Sequence, residues 1–295
     1  MRPFFENNVL QQQPFKPMII VVDTTKAGSA SNTFVLPIIK VASEVVKIYW
    51  GDGTISIGVN GNNTHVYAAI GIYTVKIEAK IFGGVAFNNT QDKAKITKIT
   101  SFGRGVIRSL VTSFYGCSSL LSIDIGNIVS NGTNAYAMFD QCSKLTTVPL
   151  FDLSKVTNAS FMFYQCVSLT TVPLFDLSKV TNASYMFYQC ASLTTVPLFD
   201  LSSVTNTANM FAQCTALTTV PLFDLSKVTN AANMFFGVTL TTQSYSDFLI
   251  NLATLPLQSG VSFHGGSSKY NPTAATARAY LISNFGWTIT DGGAA

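Results

Sequence analysis

Charged residues are scarce in this chain. Asp, Glu, Lys and Arg together make up 11% of its 295 residues, against about 25% in ordinary globular proteins. The formal net charge is only +4, and the lysines and arginines form no cluster, which disfavours a nucleic-acid-binding role. Because Ser, Thr and Asn supply the polar surface instead, the composition is typical of rigid, β-rich proteins found outside cells or on virus particles.

Signatures of catalysis and metal binding are also missing. The two histidines, His65 and His264, lie far apart in sequence and form no evident Ser/His/Asp set. The chain has no P-loop, no G-x-G-x-x-G and no H-E-x-x-H motif, and no C-x-x-C or Cys/His cluster marks a metal site. We predict that the protein is not an enzyme and uses no metal or cofactor, and we interpret both histidines as structural.

The sequence lacks a run of about 20 apolar residues, so we predict no membrane insertion. Its start, MRPFFENNVLQQQPFKP, has neither the apolar core and cleavage site of a signal peptide nor a lipid-attachment cysteine. A bacterial surface protein ordinarily needs an export signal. A phage structural protein does not, because it assembles in the cytoplasm and leaves the cell by lysis. We therefore expect a virion location.

The chain does contain an internal repeat of 24 residues, between Cys117 and Leu240. A fixed period in the twenties is the mark of a solenoid, in which each unit buries its apolar side against its neighbours. We predict that the invariant columns form the interior. The clearest columns are Met138, Met162, Met186, Met210 and Met234, the phenylalanine after each of them, and Cys117, Cys142, Cys166, Cys190 and Cys214.

Within one unit, Leu169, Val172 and Leu174 read L-x-x-V-x-L, the rhythm of a short strand in a leucine-rich repeat. The segment that follows, NASYMFYQC, predicts a short helical turn capped by Thr181 or Asn182. We expect the five cysteines to be free, buried thiols. Parallel side chains in stacked coils have poor geometry for disulfides.

Two columns vary between repeats, namely the residue before each methionine and the residue after each phenylalanine. Both carry aromatic side chains, and we take Phe161, Tyr164, Tyr185 and Tyr188 as the candidate binding residues. The alternative is that these side chains only pack against the next coil. A column of asparagines should satisfy backbone groups at a tight turn. A column of aspartates predicts a solvent-exposed face, where neighbouring lysines offset the repulsion between the carboxylates. A glycosidase with paired carboxylates is the alternative interpretation.

The repeated segment MFYQC-x-SLTTVPLFDLSKVTNAS, from about Ala137 to Phe236, resembles the BspA-like leucine-rich repeats of surface proteins. This resemblance implies a leucine-rich-repeat-type solenoid over residues 117–240. It also implies a binding protein of a cell surface or a virion, although a fold by itself does not determine a function.

Residues 18–80 read as a small β-domain with strand runs parted by turn signals. Trp50-Gly51-Asp52-Gly53, His65-Val66-Tyr67 and the strand run after Gly71 resemble a PKD domain, an immunoglobulin-like β-sandwich, with Val66 where the family has threonine. We expect Trp50 in the core and Asp52 at the turn. A metal-ligand or catalytic role for Asp52 is the alternative. PKD-like domains mostly serve as spacers and adhesion modules.

The remaining segments are an arm, a connector and a cap. In residues 1–17, Phe4, Phe5 and Phe15 are candidate attachment residues of a peptide that docks on other virion proteins; a disordered tail is the alternative. Residues 81–116 are a connector and N-terminal cap of the solenoid. Residues 241–295 form a helical C-terminal cap, with helix starts at Ser244 and Asn271. This tail resembles the segment that follows such repeats in phage proteins.

Together these features predict a mainly β fold with short helices. The expected protein is a non-enzymatic phage virion surface protein, such as a fibre, a decoration protein or a tail-associated adhesin. Its partners would be other virion proteins and a host surface protein or glycan, and a homo-oligomer is compatible with this role. The alternatives are a bacterial cell-surface adhesin and a glycan-degrading virion enzyme.

Overall fold

The computed structural model describes residues 16–41, 44–79, 81–88, 92–102, 106–107, 109–124 and 132–295. The described chain is mainly β with two short α-helices, α1 (Thr242–Leu252) and α2 (Pro272–Phe285). No helix in these ranges combines the length and the apolar character needed to cross a membrane. The proposed attachment residues Phe4, Phe5 and Phe15 lie outside the described residues.

Two sheets, here together called the front domain, precede most of the repeat units in the chain. The first has six strands in the order β11-β9-β1-β6-β3-β4, and the second has three in the order β5-β2-β8. The strands are β1 (Met18–Asp23), β2 (Thr33–Ile39), β3 (Val46–Tyr49), β4 (Ile55–Gly58), β5 (Gly61–Val66), β6 (Ile72–Glu78), β7 (Ile81–Phe82), β8 (Gly84–Val85), β9 (Ile96–Phe102), β10 (Val106–Ile107), β11 (Ser122–Ile123), β12 (Ser262–His264) and β13 (Thr288–Thr290).

Alternating side chains build the core of this region. Met18, Ile20 and Val22 of β1 are buried and alternate with half-exposed neighbours, the period expected of a strand with one covered face. Trp50 is buried as predicted, and its indole Nε1 donates to Ser56 Oγ at 2.9 Å.

The six-stranded sheet extends beyond residue 80, where the predicted β-domain ends. Strand β9 pairs antiparallel with β1, and β11, in the first repeat unit, pairs parallel with β9. The segment ITKITSF forms the whole of β9, and its alternating β-branched residues suit a strand. Its pairing with β11 joins residues 24 apart, which is the repeat step. Backbone hydrogen bonds therefore join the front sheet to the repeats.

A buried ion pair holds the loop between β1 and β2. Lys95 Nζ lies 3.4 Å from Asp92 Oδ1, and both side chains are fully buried. The Asp92 carboxylate accepts from the backbone N–H groups of Ser29 and Val35, each at 2.6 Å, while Lys95 donates to the Thr33 carbonyl at 2.6 Å. The charges are therefore compensated inside the protein, as a buried pair requires. Sequence reasoning had singled out neither residue.

The repeat stack, residues 117–124 and 132–240, places successive units in register. Parallel bridges join the asparagine column at 24-residue steps, and amide-to-carbonyl hydrogen bonds of 2.8–2.9 Å cross each junction beside it. The Met, Phe, Cys and Leu columns are buried, as predicted. The rings of the phenylalanines that follow each methionine stack 5.6–5.7 Å apart and within 7° of parallel.

Two local predictions for the repeat are wrong. The segment after Asn182 is a pair of turns rather than a helical turn, because Tyr185 and Gln189 adopt φ of 58° and 56° and their N–H groups bond to the next unit. Leu174 belongs to an exposed column, and no strand forms there. The exposed leucines are Leu150 (49%), Leu174 (59%), Leu198 (58%) and Leu222 (49%).

All five cysteines are free and buried, as the stacked column predicts. Each thiol from the second repeat onward donates to a backbone carbonyl of the preceding unit, for example Cys166 Sγ to the Phe139 carbonyl at 3.1 Å. Burial raises the pKa of the Cys214 thiol to about 12 and raises those of the other four as well. These thiols are therefore poor nucleophiles.

The C-terminal segment covers the last unit. Helix α1 is capped by Thr241, whose hydroxyl accepts from the Ser244 N–H at 3.2 Å, and not by Ser244 as predicted. Asn271 caps the start of α2 as predicted, Pro272 is its first residue, and Gly286 caps its end. The ring of Phe248 in α1 meets the last ring of the phenylalanine column edge-on, which closes the apolar end of the stack.

We predict that Lys95→Met lowers the free energy of unfolding by about 3–5 kcal/mol, because it leaves the Asp92 charge buried without its partner. Lys98→Met is the matched control, since Lys98 forms a partly exposed pair with Asp124; it should change stability by less than about 1 kcal/mol. Denaturant unfolding measures both. Equal effects of the two variants would contradict this assignment.

Candidate functional site: the aromatic ladder

The structure brings the four predicted binding residues together. Phe161, Tyr164, Tyr185 and Tyr188, here called the aromatic ladder, lie in the turns on either side of the buried Met-Phe pair of two successive units. Phe161 and Tyr185 both adopt left-handed backbone conformations, with φ of 60° and 58°. Their side chains therefore leave the stack, whereas the Met-Phe pair that follows each of them turns into the core.

The four rings form two columns side by side. Phe161 stacks on Tyr185 with centroids 4.7 Å apart, and Tyr164 stacks on Tyr188 at 4.9 Å. The columns also touch each other, because Phe161 lies 5.3 Å from Tyr164 and Tyr185 lies 5.6 Å from Tyr188. All four side chains are only partly buried. They pack on the next coil, as the alternative proposed, and are still partly exposed to solvent.

Further aromatic and amide side chains surround the ladder. Tyr136, 39% exposed, lies 5.6 Å from Phe161 with its ring tilted by 56°. Gln165 Nε2 donates to Gln189 Oε1 at 2.6 Å, and Gln141 Nε2 donates to the Tyr115 hydroxyl at 3.3 Å. Sequence reasoning missed Tyr115 and Tyr136, since the pattern in the first units is less regular. The 25-residue step from Cys117 to Cys142 could have revealed Tyr115.

An aspartate interrupts the second column. Asp140 occupies the position that Tyr164 and Tyr188 hold in the next two units, and it is 6% exposed. Its Oδ1 is buried and has no hydrogen-bond partner. Burial raises the pKa of the Asp140 carboxyl to about 7. Burial, together with Tyr188 and Asp140, also raises the pKa of the Tyr164 hydroxyl. Sequence reasoning saw Asp140 as a varied position but did not single it out.

The aspartate and asparagine columns have structural roles. Asp152 Oδ1 accepts from both the N–H and the hydroxyl of Ser154, at 3.1 and 2.6 Å. These bonds, with a smaller contribution from Lys155, hold the pKa of Asp152 below its usual value. Each asparagine side chain accepts from the N–H two residues on, as predicted for a tight turn.

Asp52 and His65 form a pair on the front domain. His65 Nε2 lies 2.7 Å from Asp52 Oδ2, and its ring stacks on Trp50 at 4.8 Å. Although partial burial opposes it, hydrogen bonds from Thr54 and His65 lower the pKa of Asp52 to about 2. The carboxylate is thus engaged in holding its turn. In the described parts of the chain, no three His, Cys, Asp or Glu side chains gather as a metal site requires.

A cleft of about 570 Å³ lies where the last full unit meets α1. Exposed aliphatic side chains form part of its wall, and hydroxyl and amide groups form the rest. Its lining includes Thr219, Leu222, Ser244, Asp247, Ile250 and Asn251. None of the predicted binding residues lies there.

Comparison with known proteins identifies a family. A family model described as "Mycoplasma protein of unknown function, DUF285" matches residues 84–196 and again 133–248. The two matches together span more than half of the chain and start about two repeat lengths apart. The chain belongs to the DUF285 family. No curated protein and no solved structure matches it. The DUF285 match contains the whole aromatic ladder, Asp140 and most of the cleft lining.

We predict that Asp140→Asn stabilises the protein at pH 8 and has little effect near pH 4. The folded carboxyl has a pKa raised above its unfolded value, so the stability of the wild type falls as pH rises between about 4 and 7. Thermal melts of both proteins across this range measure the difference in stability between variant and wild type, and each kcal/mol corresponds to a shift of about 2–4 °C in melting temperature.

Asp200→Asn is the control, because hydrogen bonds from Ser202 lower the pKa of the exposed Asp200 carboxyl. Its contribution is present above the unfolded pKa and is lost as pH falls through the folded pKa. The control should therefore lose a little stability at pH 8. A stability difference between Asp140→Asn and the wild type that does not change with pH would show that the Asp140 carboxyl has an ordinary pKa.

Proposed function

We propose that this protein is a non-enzymatic virion surface protein of a phage, such as a fibre, a decoration protein or a tail-associated adhesin. It would attach to the particle and present the repeat stack to a host surface protein or glycan. The observation that carries the proposal is the aromatic ladder: four tyrosine and phenylalanine rings, partly exposed and fixed in place by stacking. Rigid aromatic side chains lose little entropy when they bind, so they make effective contact residues.

For the fold, we propose a BspA-like, leucine-rich-repeat-type solenoid behind a PKD-like, immunoglobulin-like sandwich. Parallel bridges at 24-residue steps support the first part. The two N-terminal sheets and the burial of Trp50, next to the turn at Asp52, support the PKD-like sandwich. Two features depart from these families' patterns: the exposed Leu174 column, and the extension of the six-stranded sheet through β9 and β11.

Attachment to the particle is assigned to the N-terminal arm. Phe4, Phe5 and Phe15 are the residues proposed to contact other virion proteins. The front domain would act as a spacer between the arm and the repeats, and multiple copies on one particle, or a homo-oligomer, would add avidity to weak single contacts.

A bacterial cell-surface adhesin is the second candidate, and one specific observation favours it. The family description names Mycoplasma, a bacterium, and says nothing of phage. The same aromatic ladder would serve either protein. A glycan-degrading enzyme has less support, because the stacked aspartates are engaged by the serines that follow them.

We expect mass spectrometry of purified phage particles to detect this chain, and surface labelling of prophage-free cells not to detect it. The two measurements separate the two candidates. Absence from particles together with labelling of such cells would replace the virion protein by a cellular adhesin.

We also expect Tyr164→Ala with Tyr188→Ala to reduce adsorption of the purified protein to host cells by about tenfold or more, because paired hot-spot aromatics each contribute about 1–2 kcal/mol or more. Leu174→Ala with Leu198→Ala is the matched control on the same two units, since both leucines are exposed. A melting curve confirms that each variant is folded. Unchanged adsorption of the tyrosine variant would remove the ladder as the binding surface.

A further inference from the structure

One acidic side chain stands out from the rest of the described chain. Among buried side-chain nitrogen and oxygen atoms there, Oδ1 of Asp140 is the only one without a hydrogen-bond partner. Other buried acids are fully engaged. Asp92 is bonded to Lys95 and to backbone amides, and Asp291 is bonded to Arg278 and Tyr245. A buried carboxyl oxygen without a partner is costly and calls for an explanation.

The fold does not need an acid at this position. Tyr164, Tyr188, Ala212 and Phe236 occupy the same column in later units, and the backbone hydrogen bonds around them are unchanged. A tyrosine, an alanine or a phenylalanine therefore meets every structural requirement of the site. The Asp140 carboxyl has a hydrogen bond with the Gln141 side chain, but its Oδ1 has no partner. The bond that Oδ1 lacks would therefore come from a group outside this chain.

The neighbours of Asp140 indicate the chemistry of that group. Tyr115 and Tyr164 hold the column positions on either side, since the Gly116 N–H bonds to the Asp140 carbonyl and the Gln141 N–H bonds to the Tyr164 carbonyl, both at 2.7 Å. A carboxyl in a column with tyrosines suits an ammonium group, which can pair with the carboxylate.

The spacing of the ladder indicates what carries the ammonium. The rings repeat every 4.7–4.9 Å along the stack. An extended peptide places side chains on one side only about every 6.6–6.8 Å, so it falls out of step with the rings after one unit. A sugar chain, whose rings follow one another directly, can place about one ring beside each unit. The row of phenol and amide groups along the ladder also suits its hydroxyls.

We propose that Asp140 anchors a free amino sugar of a glycan that lies along the aromatic ladder. This inference rests on the proposed function and names the ligand class of the same site. Oδ1 is covered in the structure, so the amine reaches it only when neighbouring side chains move aside. The amine then supplies the missing donor, and the sugar ring contacts the edges of Tyr164 and Tyr188.

The test is calorimetric titration of the full chain with glucosamine oligosaccharides at pH 7, with their N-acetylated counterparts as the uncharged ligands. We expect the amine form to bind at least tenfold more tightly than the acetylated form. Asp140→Asn and Asp140→Tyr should each abolish this preference, and the second variant reproduces the residue of the next unit. Asp200→Asn should bind like the wild type. Equal binding of both ligands by the wild type, or a preference that survives in Asp140→Asn, overturns the proposal.

A lysine-rich peptide is the third ligand in the series. Binding of that peptide with the same dependence on Asp140 would overturn the assignment to a glycan. Failure of the amino-sugar proposal can be told apart from failure of the proposed function. If the tyrosine variant loses adsorption while Asp140→Asn adsorbs like the wild type, the ladder remains the binding surface and the amino-sugar anchor is wrong.

Discussion

The structure depends on the hydrogen bonding of each repeat unit to the next at a fixed step of 24 residues. Amides beside the asparagine column donate across every junction to carbonyls of the following unit, so identical residues are held one above another. This register has a direct energetic consequence. Each Met, Phe, Cys and Leu buries its apolar surface against a copy of itself, and no unit can do so alone. The front sheet, through β11, and the cap, through Phe248, close the two ends.

Stacking in register also determines where a binding surface can arise. A residue facing inward must fit its copies above and below, so the interior columns stay uniform. Outward positions carry no such constraint, and there the same register that packs the core aligns whatever side chains are present. The left-handed conformations at Phe161 and Tyr185 place two aromatic columns in contact. The aromatic ladder is thus rigid without any contact devoted to holding it, because the repeat supplies its geometry.

Sequence reasoning predicted the buried columns and the caps of α2, but it missed the backbone conformation of the repeated turns and the contacts between residues far apart in sequence. The buried columns, the free thiols, the asparagine turns and the ends of α2 follow from periodicity and capping rules. The left-handed φ of Tyr185 does not, since nothing in residue type separates a helical turn from two tight turns bonded to another unit. The pairing of β9 with β1 and the Lys95–Asp92 pair join residues far apart in sequence, which no local pattern reveals.

A repeat protein contains its own comparison set, and this gives a physical route from structure to function. In a globular domain, a buried acid such as Asp92 has to be explained by its partners alone, and here those partners account for it. In a stack, the same column position is filled several times, so the requirements of the fold can be separated from what one residue adds. Tyr164, Tyr188, Ala212 and Phe236 show that the fold accepts neutral side chains at the position of Asp140. A charge placed there without a partner for Oδ1 therefore marks a feature that folding does not explain.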